Sequence, residues 1–170
     1  MGLLTALFPP GKGGGDGVAR GGKGKGVLIH MLTEGGGMPL SHIITPANGD
    51  ERKQVEPLLK KVRVRTSTRG RPRSCPKVLA ADKGYDSKKL RGRLRKKGIR
   101  PQLPKRRWKS KPTKGRPIKN DAPRFQMERC FAWMQRKYRR LVIRWERIPS
   151  CFNGFVTLAV CHIWVKKLVG

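Results

Sequence analysis

The sequence predicts an α/β fold with a mixed sheet flanked by helices. Two observations carry this. Short apolar runs bounded by Gly and Pro alternate with amphipathic, helix-like segments. An apolar pair separated by a Gly-rich turn comes first, so the sheet includes an antiparallel hairpin as well as strands joined through helices.

The elements follow in order. Residues 11–26, "GKGGGDGVARGGKGKG", are Gly/Lys-rich and read as a flexible loop. Apolar runs at 27–32 and 39–45 flank a turn at 34–37, which makes the hairpin. "NGDERKQVEPLLKKV" reads as a helix capped by Asn48 or Asp50, with Pro57 disturbing its middle. A basic loop precedes a short buried strand at 77–81. Asp86 or Ser87 caps the next helix, which runs to about Lys97 with Leu90 and Leu94 inward. A strand at 99–103 comes next, then a basic loop over 104–122 holding Trp108. Two helices, 124–144 and 151–168, part near Pro149.

Charge narrows the function. The 170 residues hold 41 Lys+Arg against 10 Asp+Glu, a formal net charge of +31. Self-repulsion on this scale opposes compaction unless an anion offsets it, and nucleic acid is the matching polyanion. An anionic membrane surface is the competing partner. The opening segment lacks the basic start of a signal peptide. The apolar run at 151–165 is shorter than the ~20 residues a membrane span needs. None of Cys75, Cys130, Cys151 and Cys161 is spaced for zinc, so free thiols in a reducing, cytoplasmic, nucleoid-associated setting are expected.

With acids so scarce, each needs a reason. Asp50, Glu51, Asp86 and Asp121 suit helix N-termini. Glu34 falls in a turn, Asp16 in the Gly loop, and Glu56 and Glu146 among surface cations. Asp82 and Glu128 remain. Asp82 ends an apolar strand, where open α/β sheets place ligands. Glu128 sits three residues after Phe125 and three before Phe131, on or beside a core-facing stripe with Met134. A carboxylate there either pairs with an Arg or holds a hard cation.

The blocks "ADKGYDSKKLRGRLRKKGI" and "RFQMERCFAWMQRKYRRLVIRWER" resemble the catalytic domain of bacterial insertion-sequence transposases of the DDE type. "GGKGKGVLIHMLTEGGGMPLSHIITPANGDE" looks like that family's central hairpin, and "FNGFVTLAVCHIWVKKL" like its last helix. The resemblance implies a ribonuclease-H-like mixed sheet and one catalytic domain over residues 1–170. It implies three carboxylates holding two Mg²⁺ or Mn²⁺ ions, and DNA cleavage and strand transfer at transposon ends. Asp82 resembles the second acid and Glu128 the third, as catalytic residues and metal ligands. The first acid ends a first strand in the family, and here "LLTALFPPGKGGG" puts Thr5 in its place. Asp16 is a weaker substitute. The N-terminal DNA-binding region usual in such transposases is missing, so a truncated chain with impaired catalysis is expected. The alternative is a non-catalytic DNA-binding remnant or an inhibitor of transposition that competes for transposon ends or joins the full enzyme in dead oligomers; a homo-oligomer is among the assemblies expected.

Other motifs are weighed against plainer roles. Lys83, Arg106, Arg107, Arg129, Arg136, Lys137 and Arg140 are candidates for the DNA backbone, Arg129, Arg136 and Arg140 as one face of the long helix. Trp108 either stacks on an unpaired base or anchors its loop. "GVARGGKG" nearly spells a phosphate loop but lacks its Ser/Thr, so it reads as a plain basic loop. His30 and His162 read as packed or surface residues. A ribosomal-type RNA binder would leave Asp82 and Glu128 unexplained.

Overall fold

The computed structural model describes residues 1–65, 69–104 and 125–170. One mixed sheet organises the chain. Its strands are β1 (Gly2–Leu7), β2 (Ala19–Gly21), β3 (Gly24–Glu34), β4 (Pro39–Pro46), β5 (Val78–Ala81) and β6 (Arg100–Gln102). They lie in the order β2–β3–β1–β5–β6, with β4 also paired to β3. β3 runs antiparallel to β1 and β4, whereas β1, β5 and β6 are mutually parallel. This antiparallel-plus-parallel order is compatible with a ribonuclease-H-like fold.

Helices cover both faces. α1 (Glu51–Lys61) and α2 (Lys88–Lys96) pack on one side through Val55, Leu58, Leu59, Leu90 and Leu94, against Leu4, Leu32, Leu79 and Ala81 of the sheet. α3 (Phe125–Lys137) and α4 (Pro149–Val169) cover the other through Phe131, Met134, Phe152, Val156, Ala159 and Ile163, against Val27, Ile29 and Met31. Side chains alternate across a strand, so each strand feeds both cores.

Local chemistry explains the ends. Asp50 caps α1 by accepting the Arg52 N–H at 3.0 Å. Ser87, not Asp86, caps α2. Asp86 instead accepts from the Arg91 guanidinium at 2.7 Å. The phosphate-loop lookalike is the β2–β3 hairpin, with Arg20 paired to Lys25. His30 is fully buried and its Nε2 lies 2.8 Å from the Thr45 hydroxyl. Burial lowers its pKa to about 4. All four cysteines are free.

Three expectations need correction. The long helix does not run to Arg144. It ends at Lys137, and a single 3₁₀ turn (Arg139–Leu141) follows. Residues 11–17 are not a flexible loop either. Arg144, only 1% exposed, reaches into them from the segment after that turn. Its Nη2 donates to the Asp16 carbonyl at 2.6 Å and the Arg147 carbonyl at 3.2 Å, and its Nε donates to the Glu146 carbonyl at 2.8 Å. The glycines permit this approach. A Cβ on Gly13 would lie 2.0 Å from the Trp145 carbonyl oxygen, and one on Gly15 (φ +84°) 2.3 Å from that of Arg147. Third, the last helix is longer than the apolar run suggested. Its 21 residues are long and apolar enough to cross a membrane, although one side packs on the sheet.

Candidate active site

The register of β1 against β5 fixes the candidate site. Gly2, Leu3 and Leu4 pair in parallel with Leu79, Ala80 and Ala81. One residue further along both strands stand Thr5 and Asp82. Neighbouring strands lie about 4.8 Å apart, so these two residues are side by side where parallel strands deliver ligands. Leu4 and Ala81 belong to the core under α1 and α2. Alternation therefore turns Thr5 to the other face, the one α3 covers, while Asp82 stands just past the end of β5. Asp82 is exposed, and its Oδ1 accepts the Lys83 N–H at 2.7 Å, which starts a single 3₁₀ turn (Lys83–Tyr85). Tyr85 closes that turn into the core. Burial first, then the Glu51 and Asp82 carboxylates, push its phenol far above the usual range.

Glu128 is carried by the first turn of α3, which packs across β1. It is exposed rather than part of the buried stripe, and Phe125 is 60% exposed. The stripe instead runs through Cys130, Phe131 and Met134. Helical rotation of 100° per residue sets Glu128 on one flank of this stripe and Arg129 and Trp133 on the other. The second flank is anchored to the β3–β4 turn: Arg129 donates to the Gly36 carbonyl at 3.1 Å and lies 5.0 Å from the Trp133 ring. Glu128 is therefore on the flank of α3 away from that anchored turn. Among the described residues, no three His, Cys, Asp or Glu side chains gather as a metal cluster.

The cations expected to meet DNA divide. Lys83, Arg136 and Lys137 are exposed. Arg129 is tied to Gly36. Arg140 leaves the helical face proposed for it, since it sits in the 3₁₀ turn, 3.4 Å from Glu146 and 5.4 Å from the Phe155 ring. Arg106, Arg107 and Trp108 lie outside the described residues, as does Asp121. Sequence reading passed over α2, whose Lys88, Lys89, Arg95 and Lys96 are all exposed beside inward Leu90 and Leu94. The signal was present as a "KKLRGRLRKK" helix with one apolar edge.

The mixed α/β sheet is compatible with the fold of DDE transposases, and the sequence match names the family. Residues 8–164 match the family described as transposase DDE domain, so the chain belongs to that family. It is also similar to a protein of Burkholderia cepacia that is provisionally named a transposase for insertion sequence element IS402. The two are 37% identical over 134 residues, 79% of this chain and 60% of that protein. The chain thus spans about 60% of the length of this curated relative.

The family generally uses divalent metal. The donors here fit that group incompletely. Asp82 and Glu128 supply hard oxygen ligands of the right kind. Thr5, beside Asp82 in the strand register, supplies a neutral hydroxyl, a weak ligand for a hard cation.

Proposed function

We propose that this chain is a DNA-binding transposase domain whose strand-cleavage site is impaired at Thr5. One observation carries the reading: the β1–β5 register sets Thr5 beside Asp82. Asp82 and Glu128 would hold a single Mg²⁺ or Mn²⁺. When bound, the metal supplies polarisation of a phosphate oxygen and a more acidic attacking hydroxyl. The chain's own cations do the rest. Lys83, Arg136, Lys137 and the exposed side of α2 face phosphate, each a point charge that holds DNA without reading its sequence. With ~8 phosphates neutralised, log affinity falls with log salt at a slope near −7.

The site for reaction on DNA transposon ends is thereby built but short of one charge. A second reading, a DNA-binding protein without catalysis, rests on that same threonine. The test is nicking of labelled transposon-end DNA with Mg²⁺ or Mn²⁺ by the parent, Thr5→Asp and Asp82→Ala. Cleavage by Thr5→Asp alone supports the impaired-site reading. Cleavage by the parent that Asp82→Ala abolishes means another ligand completes the site. DNA binding by all three with no cleavage favours the non-catalytic reading.

A further inference from the structure

The ends of α3 and α4 enclose an aromatic cavity apart from the candidate active site. Its volume is about 180 Å³, and Met38, Trp133, Tyr138 and Ile163 line it together with Lys137, Lys166 and Lys167. Three local events build it. α3 ends at Lys137, and Tyr138 leaves helical geometry (φ −124°, ψ 80°). The Tyr138 hydroxyl then meets His162 Nδ1 of α4 at 3.0 Å, with the two rings edge to face. Trp164 of α4 donates to the Pro39 carbonyl at 2.6 Å, next to buried Met38. Arg129 lies 5.0 Å from the Trp133 ring and is itself held at Gly36, so that wall is steadied too. From Glu128 to Lys137 is about 13 Å along α3, and basic α2 is on the other side of the sheet.

The lining identifies the occupant. Three ammonium groups and no carboxylate border the cavity. Among the described residues none of these lysines is ion-paired. Their donors are available to an anion, and converging ammoniums suit the several charges of a phosphate. Trp133 and Tyr138 are half-buried. A planar ring stacks on such a wall, whereas a hydrated inorganic anion gains nothing from it. The volume falls below the ~300–1,000 Å³ of a site for a drug-sized molecule, so it admits one ring system and leaves the charged part outside. A planar ring with phosphate attached is a nucleotide.

We propose that this cavity binds a single nucleotide, with its base against Trp133 and Tyr138 and its phosphates on Lys137, Lys166 and Lys167. The nucleotide is either free or the unpaired end of a DNA strand. The site goes beyond the DNA-binding reading and holds or fails without it.

Calorimetric titration of the full chain at elevated salt tests this, with adenosine diphosphate against inorganic pyrophosphate, which has similar charge but no base. The parent is expected to bind the diphosphate at least about 10-fold more tightly, the share a stacked base contributes. Trp133→Leu is expected to lose that preference, with circular dichroism checking its fold. Lys166→Ala with Lys167→Ala, at exposed positions, is expected to weaken both ligands while duplex DNA still binds. A measurement on the parent alone accompanies these: the diphosphate is expected to shield Lys137, Lys166 and Lys167 from an acetylating reagent ahead of other lysines, read by mass spectrometry. Equal affinity for the two ligands, or shielding spread evenly over the lysines, overturns the proposal. So does a folded Trp133→Leu variant that keeps the base preference. Duplex binding without base preference leaves the DNA reading alone standing, and base preference without duplex binding leaves the cavity alone standing. A short single-stranded DNA that displaces the diphosphate assigns the cavity to a strand end, and one that does not assigns it to a free nucleotide.

Discussion

Arg144→Met tests the clamp that holds the segment following β1. The guanidinium is buried, lies 5.8 Å from the Phe152 ring and donates to the carbonyls of Asp16, Glu146 and Arg147. Met keeps much of the apolar stem but strands three acceptors. Each buried acceptor left without a donor costs roughly 1–3 kcal/mol. These carbonyls lie near the surface and regain some water, so the total falls to about 3–5 kcal/mol, a large part of the 5–15 kcal/mol that stabilises most domains. At a urea dependence of about 2 kcal/mol per molar, the midpoint drops by about 2 M. The assay is urea unfolding followed by tryptophan fluorescence, at one salt concentration because the variant loses a charge. Arg144→Lys keeps the charge but cannot fork to three carbonyls, so it is expected between parent and Met. A loss below ~1 kcal/mol for Arg144→Met would refute the clamp.

Other expectations follow from the same geometry. Gly13→Ala and Gly15→Ala drive a Cβ into the Trp145 and Arg147 carbonyls and are expected to cost at least ~2 kcal/mol each, whereas Gly22→Ala meets nothing within 4 Å and is expected to be near neutral; urea midpoints compare them. His30 is buried neutral, with its pKa lowered to about 4 from 6.5. The unfolded chain takes up the proton first as pH falls, so stability is full above about 6.5 and declines by roughly 3 kcal/mol towards pH 4; a His30→Leu variant that keeps the parent's slope in that window would contradict this. His42 is lowered by burial too and adds to the decline in the same direction. Burial pushes the Cys130 thiol up to about 12, so a thiol reagent is expected to titrate three cysteines in the native chain and four in denaturant.

Much of the fold was legible because it rests on local signals. The hairpin, the helix caps and the strand before Asp82 each follow from a few neighbouring residues. Two of the failures share one cause, contact between segments far apart in sequence. Nothing near Arg144 indicates that it will fill a glycine loop some 130 residues earlier, so its stretch reads as more helix. Instead α3 ends at Lys137, a 3₁₀ turn follows, and the Arg144 backbone N–H donates to the Pro10 carbonyl at 2.8 Å. The same contact explains why a glycine-rich stretch is held rather than loose. Composition there signals freedom, but small size also permits the backbone to approach closely, and the two uses look alike in a sequence.

The candidate site shows the same division. Asp82 was found by elimination, since the sequence showed no local task for a strand-end acid in so basic a chain; the structure gives it one, accepting the Lys83 N–H. Glu128 was read as lying on or beside the core-facing stripe, and it is exposed on a flank of that stripe. Its candidacy rests on the family resemblance, and the flank it occupies is not the one Arg129 anchors at Gly36. Thr5 was singled out by the family resemblance, and strand pairing then set it beside Asp82. A β-branched residue suits a half-buried strand, so the substitution leaves the sheet undisturbed. On the proposed reading, the sheet needs only a side chain of modest size at position 5, while holding two cations needs a negative charge there. The sheet would then persist unchanged where the reaction is impaired.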